Sequence, residues 1–109
     1  MQLPNRNQAY IESAKLEYLL TNPTKEGWFK ALGFHKENVF ILERGLLTIA
    51  RTQSVVEAED TPYGTLYAVE GYLDTPTRGL WPIRTIWEIR AETSRPRFVT
   101  ARPPKRGRD

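Results

Sequence analysis

The stretch SVVEAEDTPYGTLYAVEGYLDTPTRGLWPIRTIWEIR, residues 54–90, decides the fold. Apolar and polar residues alternate along it, and β-branched and aromatic side chains dominate, as half-buried strands require. Two turn signals cut it into three. Thr61-Pro62-Tyr63-Gly64 places proline and glycine at the special backbone positions of a tight turn, and Asp74-Thr75-Pro76-Thr77-Arg78-Gly79 closes a second hairpin. The spacing predicts strands over residues 54–60, 65–73 and 80–90. In the first, Val56 and Ala58 take one face, with Val55, Glu57 and Glu59 on the other. In the third, Trp81, Ile83, Thr85, Trp87 and Ile89 oppose Pro82, Arg84, Ile86, Glu88 and Arg90. A further turn at Thr93-Ser94-Arg95-Pro96 leads into a fourth strand, Arg97–Arg102.

Upstream of Gln53 the period is 3.6. A short helix begins at Ser13, its cap, with Leu16, Leu19 and Leu20 on one side, and Asn22-Pro23 stops it. A second runs from its cap Thr24 to Leu32, presents Trp28, Phe29 and Leu32, and stops at Gly33. The third spans residues 36–51, where Val39, Leu42, Leu46, Ile49 and Ala50 keep helical spacing. Gly45 inside it costs about 1 kcal/mol relative to alanine, which predicts close approach of another backbone there. Short hairpin loops favour a meander. The expected architecture is therefore α+β, with two to three N-terminal helices packed on one face of a four-stranded antiparallel sheet. Residues 1–103 make one domain, and residues 104–109 a flexible basic tail with no apolar residue to dock.

Composition narrows the chemistry. The chain has 109 residues and no cysteine, which excludes disulfides, zinc–thiolate sites and cysteine nucleophiles and suits a reducing compartment. No run approaches a membrane span, and MQLPNRNQ lacks the features of a secretory signal, so a cytoplasmic protein without membrane association is expected. The net charge of +3 is unevenly spread. Arg51 to Asp74 carries one base against five acids, whereas from Arg84 onward there are eight bases against three acids. Such a basic C-terminal third suits RNA or an acidic protein partner.

No glycine-rich phosphate loop links a strand to a helix, and no cofactor is expected. His35 is the single histidine, so a two-histidine acid/base pair is excluded. Glu57, Glu59 and Asp60 read as a charged strand face rather than a metal site. Lysine, arginine, tyrosine and threonine chemistry remains. Arg84, Thr85 and Trp87 fall on a central strand, and Arg97 and Thr100 on its neighbour. Arginines projecting from a sheet can clamp a phosphate and stabilise charge that builds up during phosphoryl transfer. Lys15 or Lys25, on the helices, adds a cation, and Tyr63 and Tyr67 offer stacking surfaces for bases.

From Lys15 to Pro103 the chain resembles a family of small bacterial proteins classed as a domain of unknown function. The matching words are Lys15-Leu16 with Tyr18-Leu19-Leu20, Thr24-Lys25, Phe29 with Ala31-Leu32-Gly33-Phe34, Val55-Val56-Glu57, Glu59-Asp60-Thr61-Pro62-Tyr63-Gly64-Thr65, Val69-Glu70-Gly71, Arg84-Thr85 with Trp87, and Pro96-Arg97 with Val99-Thr100-Ala101 and Pro103. Its layout is in turn similar to the nuclease group that unites barnase-, EndoU-, colicin- and RelE-like RNases, whose members often end in a similar word with tyrosine where this chain has Arg102. The resemblance implies a metal-independent endoribonuclease toxin of the RelE-like kind. Lys25, Arg84, Arg97 and Thr100 would be catalytic, and Lys15, Tyr63, Tyr67, Thr85 and Trp87 would bind RNA. It implies an antitoxin or immunity protein as partner. No general base is evident in the sequence, so a non-enzymatic protein-binding module stands beside the nuclease. That alternative expects an exposed patch around Trp81, Trp87 or Tyr72 and a homo-oligomer or heteromer.

Overall fold

Four strands, β1 (Val55–Thr61), β2 (Gly64–Thr75), β3 (Gly79–Arg90) and β4 (Arg97–Arg102), form one antiparallel sheet in the order β1-β2-β3-β4. The structure is a computed structural model that describes residues 1–21 and 26–104. The meander and the three turns expected from the sequence are present, with β2 and β3 each reaching to the hairpin glycine.

Three helices precede the sheet: α1 (Ser13–Thr21), α2 (Glu26–Ala31) and α3 (Val39–Thr52). Ser13 lies inside α1 rather than capping it, because the carbonyl of Glu12 already accepts from the Lys15 and Leu16 N–H groups. The cap expected at Thr24 lies outside the described residues. α3 starts three residues later than its apolar period suggested. Asn38 accepts from the His35 N–H (2.8 Å) and donates its amide to the Gly33 carbonyl (3.0 Å), which closes Lys36–Asn38 into a separate 3₁₀ turn.

All three helices lie on one face of the sheet. There Leu42, Leu46, Ile49 and Ala50 of α3 pack with Val69, Leu73, Ile83 and Trp87 into one fully buried cluster. Two glycines set how close α3 and β2 come. A Cβ on Gly71 would sit 3.1 Å from Ile49, and one on Gly45 would sit 2.5 Å from a methyl of Leu73. Gly45 thus marks a close approach, as its cost implied, to a side chain rather than to a backbone.

Two bulges decide which residues share a face. In β1 the register shifts between Val55 and Glu57, so Val55 pairs with Val69 on the helix side while Glu57 and Glu59 pair with Ala68 and Leu66 on the open side. Alternation alone had put Val55 with the glutamates. The second shift, at Ile86/Trp87, sets Phe98 opposite Trp87 and Ala101 opposite Thr85, which turns both β4 residues inward.

Residues 1–12 carry no periodic pattern yet dock at both edges. Gln2 bridges Ser54, Tyr10 runs parallel to Arg97, and Leu3, Ala9 and Ile11 are buried. Tyr10 donates to the Pro96 carbonyl and accepts from Phe98, both at 3.0 Å, so it caps the β4 edge.

Candidate functional site

The sheet face without helices carries the charged side chains, and the hairpin registers bring them together. Glu57 and Glu59 come from β1, Glu70 from β2, Arg84, Glu88 and Arg90 from β3, and Arg97, Thr100 and Arg102 from β4. They sort into two clusters.

Around Arg84, one guanidinium nitrogen donates to Glu70 at 2.8 Å and another to Glu57 in a very short contact. Arg84 is only 8% exposed, so its charge is committed to these two carboxylates. Arg102, paired with Arg84 across the strands, is exposed and has no ion-pair partner among the described residues. With Glu57, Glu59, Leu66 and Ile86 it borders a shallow cleft of about 210 Å³. Acids at least balance bases here, which does not favour a polyanion.

The second cluster lies at the sheet end near the β1–β2 and β3–β4 turns. Glu88, 8% exposed, accepts from Arg97 (2.7 Å) and from Arg90 (3.2 Å). Arg97 also donates to Glu12, at 3.3 Å, just before α1. Arg95 lies 4.3 Å from the Tyr10 ring centroid and donates to the Gln8 carbonyl at 3.1 Å. These groups and Thr93 enclose a cleft of about 350 Å³, in which three arginines face two glutamates. The guanidinium of Arg97 holds the Glu88 carboxyl below its ordinary value against the opposing effect of burial, and Arg90 adds to the lowering. Glu88 in turn raises Arg97. Glu88 is the group that aims two arginines.

Because its folded value is depressed, Glu88 contributes stability that is present above the unfolded carboxyl value and lost as pH falls through the folded one. Denaturant midpoints followed from about pH 7 to about pH 3 should therefore fall on the acid side. Glu88→Gln should shallow that fall, and an unchanged acid limb in the variant would contradict it.

The expected site residues divide. Arg84, Arg97 and Thr100 share the open face, Arg97 in the cationic cleft. Tyr63, 68% exposed, stands at the β1–β2 turn with Arg90 5.7 Å from its ring centroid. Thr85 and Trp87 lie on the opposite, helix-side face and are fully buried, so neither reaches a ligand on the open face. Tyr67, opposite Trp87, is partly buried against the same core. Lys15 belongs to the helix layer, its ammonium 6.0 Å from the Tyr18 ring centroid, and Lys25 lies outside the described residues. Of the aromatic patch expected for a binding module, Tyr72 is exposed, Trp81 partly buried and Trp87 buried. Pattern reading missed Tyr10, Glu12 and Glu88 as site residues. Glu88 could have been found as an acid flanked by arginines two positions along and on the neighbouring strand. Among the described residues no three His, Asp or Glu converge as a metal-holding group, and no helix is long and apolar enough to cross a membrane.

A family described as a domain of unknown function, DUF6883, matches residues 2–105. The chain belongs to the DUF6883 family. The sequence resemblance to such a family thus holds across nearly the whole chain, including both clusters. No curated protein matches the sequence. Among solved structures, a chain of the contact-dependent growth inhibition toxin–immunity protein complex from Klebsiella pneumoniae 342 superimposes with a TM-score of 0.71 at 14% identity, covering 94% of this chain and 98% of that one. At that identity the likeness establishes a shared fold, which this DUF6883 protein has over essentially its full described length.

Proposed function

We propose that the protein is an endoribonuclease toxin that cleaves RNA without a metal ion, at the cleft of Arg90, Arg95 and Arg97. The observation that carries this reading is the arginine trio, two of whose members are fixed by the buried Glu88, beside the half-exposed Glu12. The shared fold with a chain of a toxin–immunity complex supports the toxin role. The ribose 2′-oxygen attacks the adjacent phosphorus while Glu12 takes its proton. Arg97, Arg90 and Arg95 neutralise the charge that grows on the phosphoryl oxygens. The P–O5′ bond breaks, the 5′-oxygen takes a proton from water, Glu12 returns its proton to solvent, and the products are a 2′,3′-cyclic phosphate and a 5′-hydroxyl. Thr100 stands on the same face, opposite Ile86 on β3. Cytoplasmic RNA is the target, and an immunity or antitoxin protein is the partner that keeps a producing cell alive.

Induced expression in a bacterial host, with growth and RNA ends followed together, tests this. Wild type should arrest growth and leave cyclic phosphate ends with a chelator present. Glu12→Gln, which keeps the shape of the side chain, should slow cleavage by about 100-fold, the lower end for a general base. Intact RNA and normal growth with the wild-type chain would sink the nuclease reading. That result would favour a protein-binding module, for which exposed Tyr72 and Leu80 on the β2–β3 hairpin provide the surface.

A further inference from the structure

Arg90 borders a second cleft besides the one that holds Arg97. That second hollow, about 420 Å³, lies between the β1–β2 turn and the end of β3, where Asp60, Pro62, Tyr63 and Glu92 surround it. Its aromatic wall is the Tyr63 ring. A tyrosine at a turn tip with 68% of its surface in water has no packing role to explain it, yet Arg90 sits 5.7 Å from the ring centroid and restrains that side. Glu88 holds the same Arg90 at 3.2 Å, so one guanidinium links the aromatic ring to the arginine cluster. The turn beneath is well fixed: the Thr61 hydroxyl accepts from the Tyr63 and Gly64 N–H groups at 3.2 Å and donates to the Gly64 carbonyl at 3.0 Å.

We infer that Tyr63 and Arg90 form a stacking subsite for an unpaired nucleobase next to the phosphate held by Arg97, so that this protein takes its RNA single-stranded. The inference rests on the proposed handling of RNA phosphate at the neighbouring cleft. A base paired within a duplex keeps its faces against its own neighbours and cannot reach the ring, whereas a splayed base can lie flat on it. The acids Asp60 and Glu92 at the margin repel a second phosphate, which directs the base rather than the backbone into this hollow.

Anisotropy of a labelled, mixed-sequence 2′-O-methyl RNA strand tests this, since the blocked 2′-oxygen permits binding without cleavage. Tyr63→Ala should weaken binding roughly 5- to 150-fold, and Tyr63→Phe should retain it. The same backbone made without bases should bind wild type and Tyr63→Ala equally, and hybridisation to a complementary strand should abolish the dependence on Tyr63. An equal loss on both strands, or no loss on either, would overturn the stacking subsite even if wild type cleaves RNA. Base-dependent binding by a wild type that leaves RNA intact would instead retain the subsite and remove the cleavage.

Discussion

Arg84→Ala should lower stability by about 3 kcal/mol, more than any other single change on the open face. The guanidinium is nearly sealed, and two glutamates from separate strands point at it. Without it, Glu57 on β1 and Glu70 on β2 lose the guanidinium they share. The lower end of the range for breaking a buried ion pair applies, because Glu57 is half exposed and keeps part of its hydration. Arg102→Ala, directly opposite on the neighbouring strand but exposed, should change stability by no more than about 0.5 kcal/mol. Adding Glu70→Leu to Arg84→Met should recover part of the loss, since it removes the more buried of the two carboxylates together with the cation. Urea midpoints of the four proteins decide the matter. A neutral Arg84→Ala would show that the triad does not hold the sheet. Loss of the proposed toxicity in Arg84→Ala would therefore report on folding, whereas Glu12→Gln reports on chemistry.

Trp87→Ala should be costlier still, about 3–5 kcal/mol. The indole is fully buried and meets Phe98 edge-on, with centroids 5.3 Å apart. Its N–H donates to the Thr85 hydroxyl at 2.7 Å, and that hydroxyl donates to the Val69 carbonyl, also at 2.7 Å. Thr85→Val separates the two contributions. It keeps the packed volume but leaves the indole N–H without an acceptor, at a cost of about 2 kcal/mol. Thermal or urea unfolding of both variants checks the order. A Thr85→Val midpoint equal to wild type would show that the buried hydroxyl relay contributes nothing.

The same two residues show how far the sequence could be read. Period two placed Thr85 and Trp87 on one face and Arg84 on the other, and that alternation is what the sheet has. What it could not tell was which face the helices cover, since both faces of β3 mix apolar and polar groups. The roles given to Thr85 and Trp87 by resemblance required the uncovered side. Strand existence and order were legible because the turns carry proline and glycine at the required positions. The β1 bulge was not, because a one-residue register shift leaves no mark in composition and moved Val55 away from the glutamates. The cationic cleft was half legible. Arg97 stood out, but Tyr10 and Glu12 lie in a non-periodic segment whose docking depends on a strand more than eighty residues downstream.

That docking orders events during synthesis. Glu12 and Arg97 are separated by 85 positions, and Tyr10 and Arg97 pair only once β4 exists. Contacts this distant along the chain close late, because the intervening loop entropy must be overcome first. A ribosome-bound chain therefore exposes Glu12 long before any arginine partner has left the exit tunnel. The cleft is complete only when β4 joins the first segment, so the proposed activity is withheld from a nascent chain until β4 has emerged.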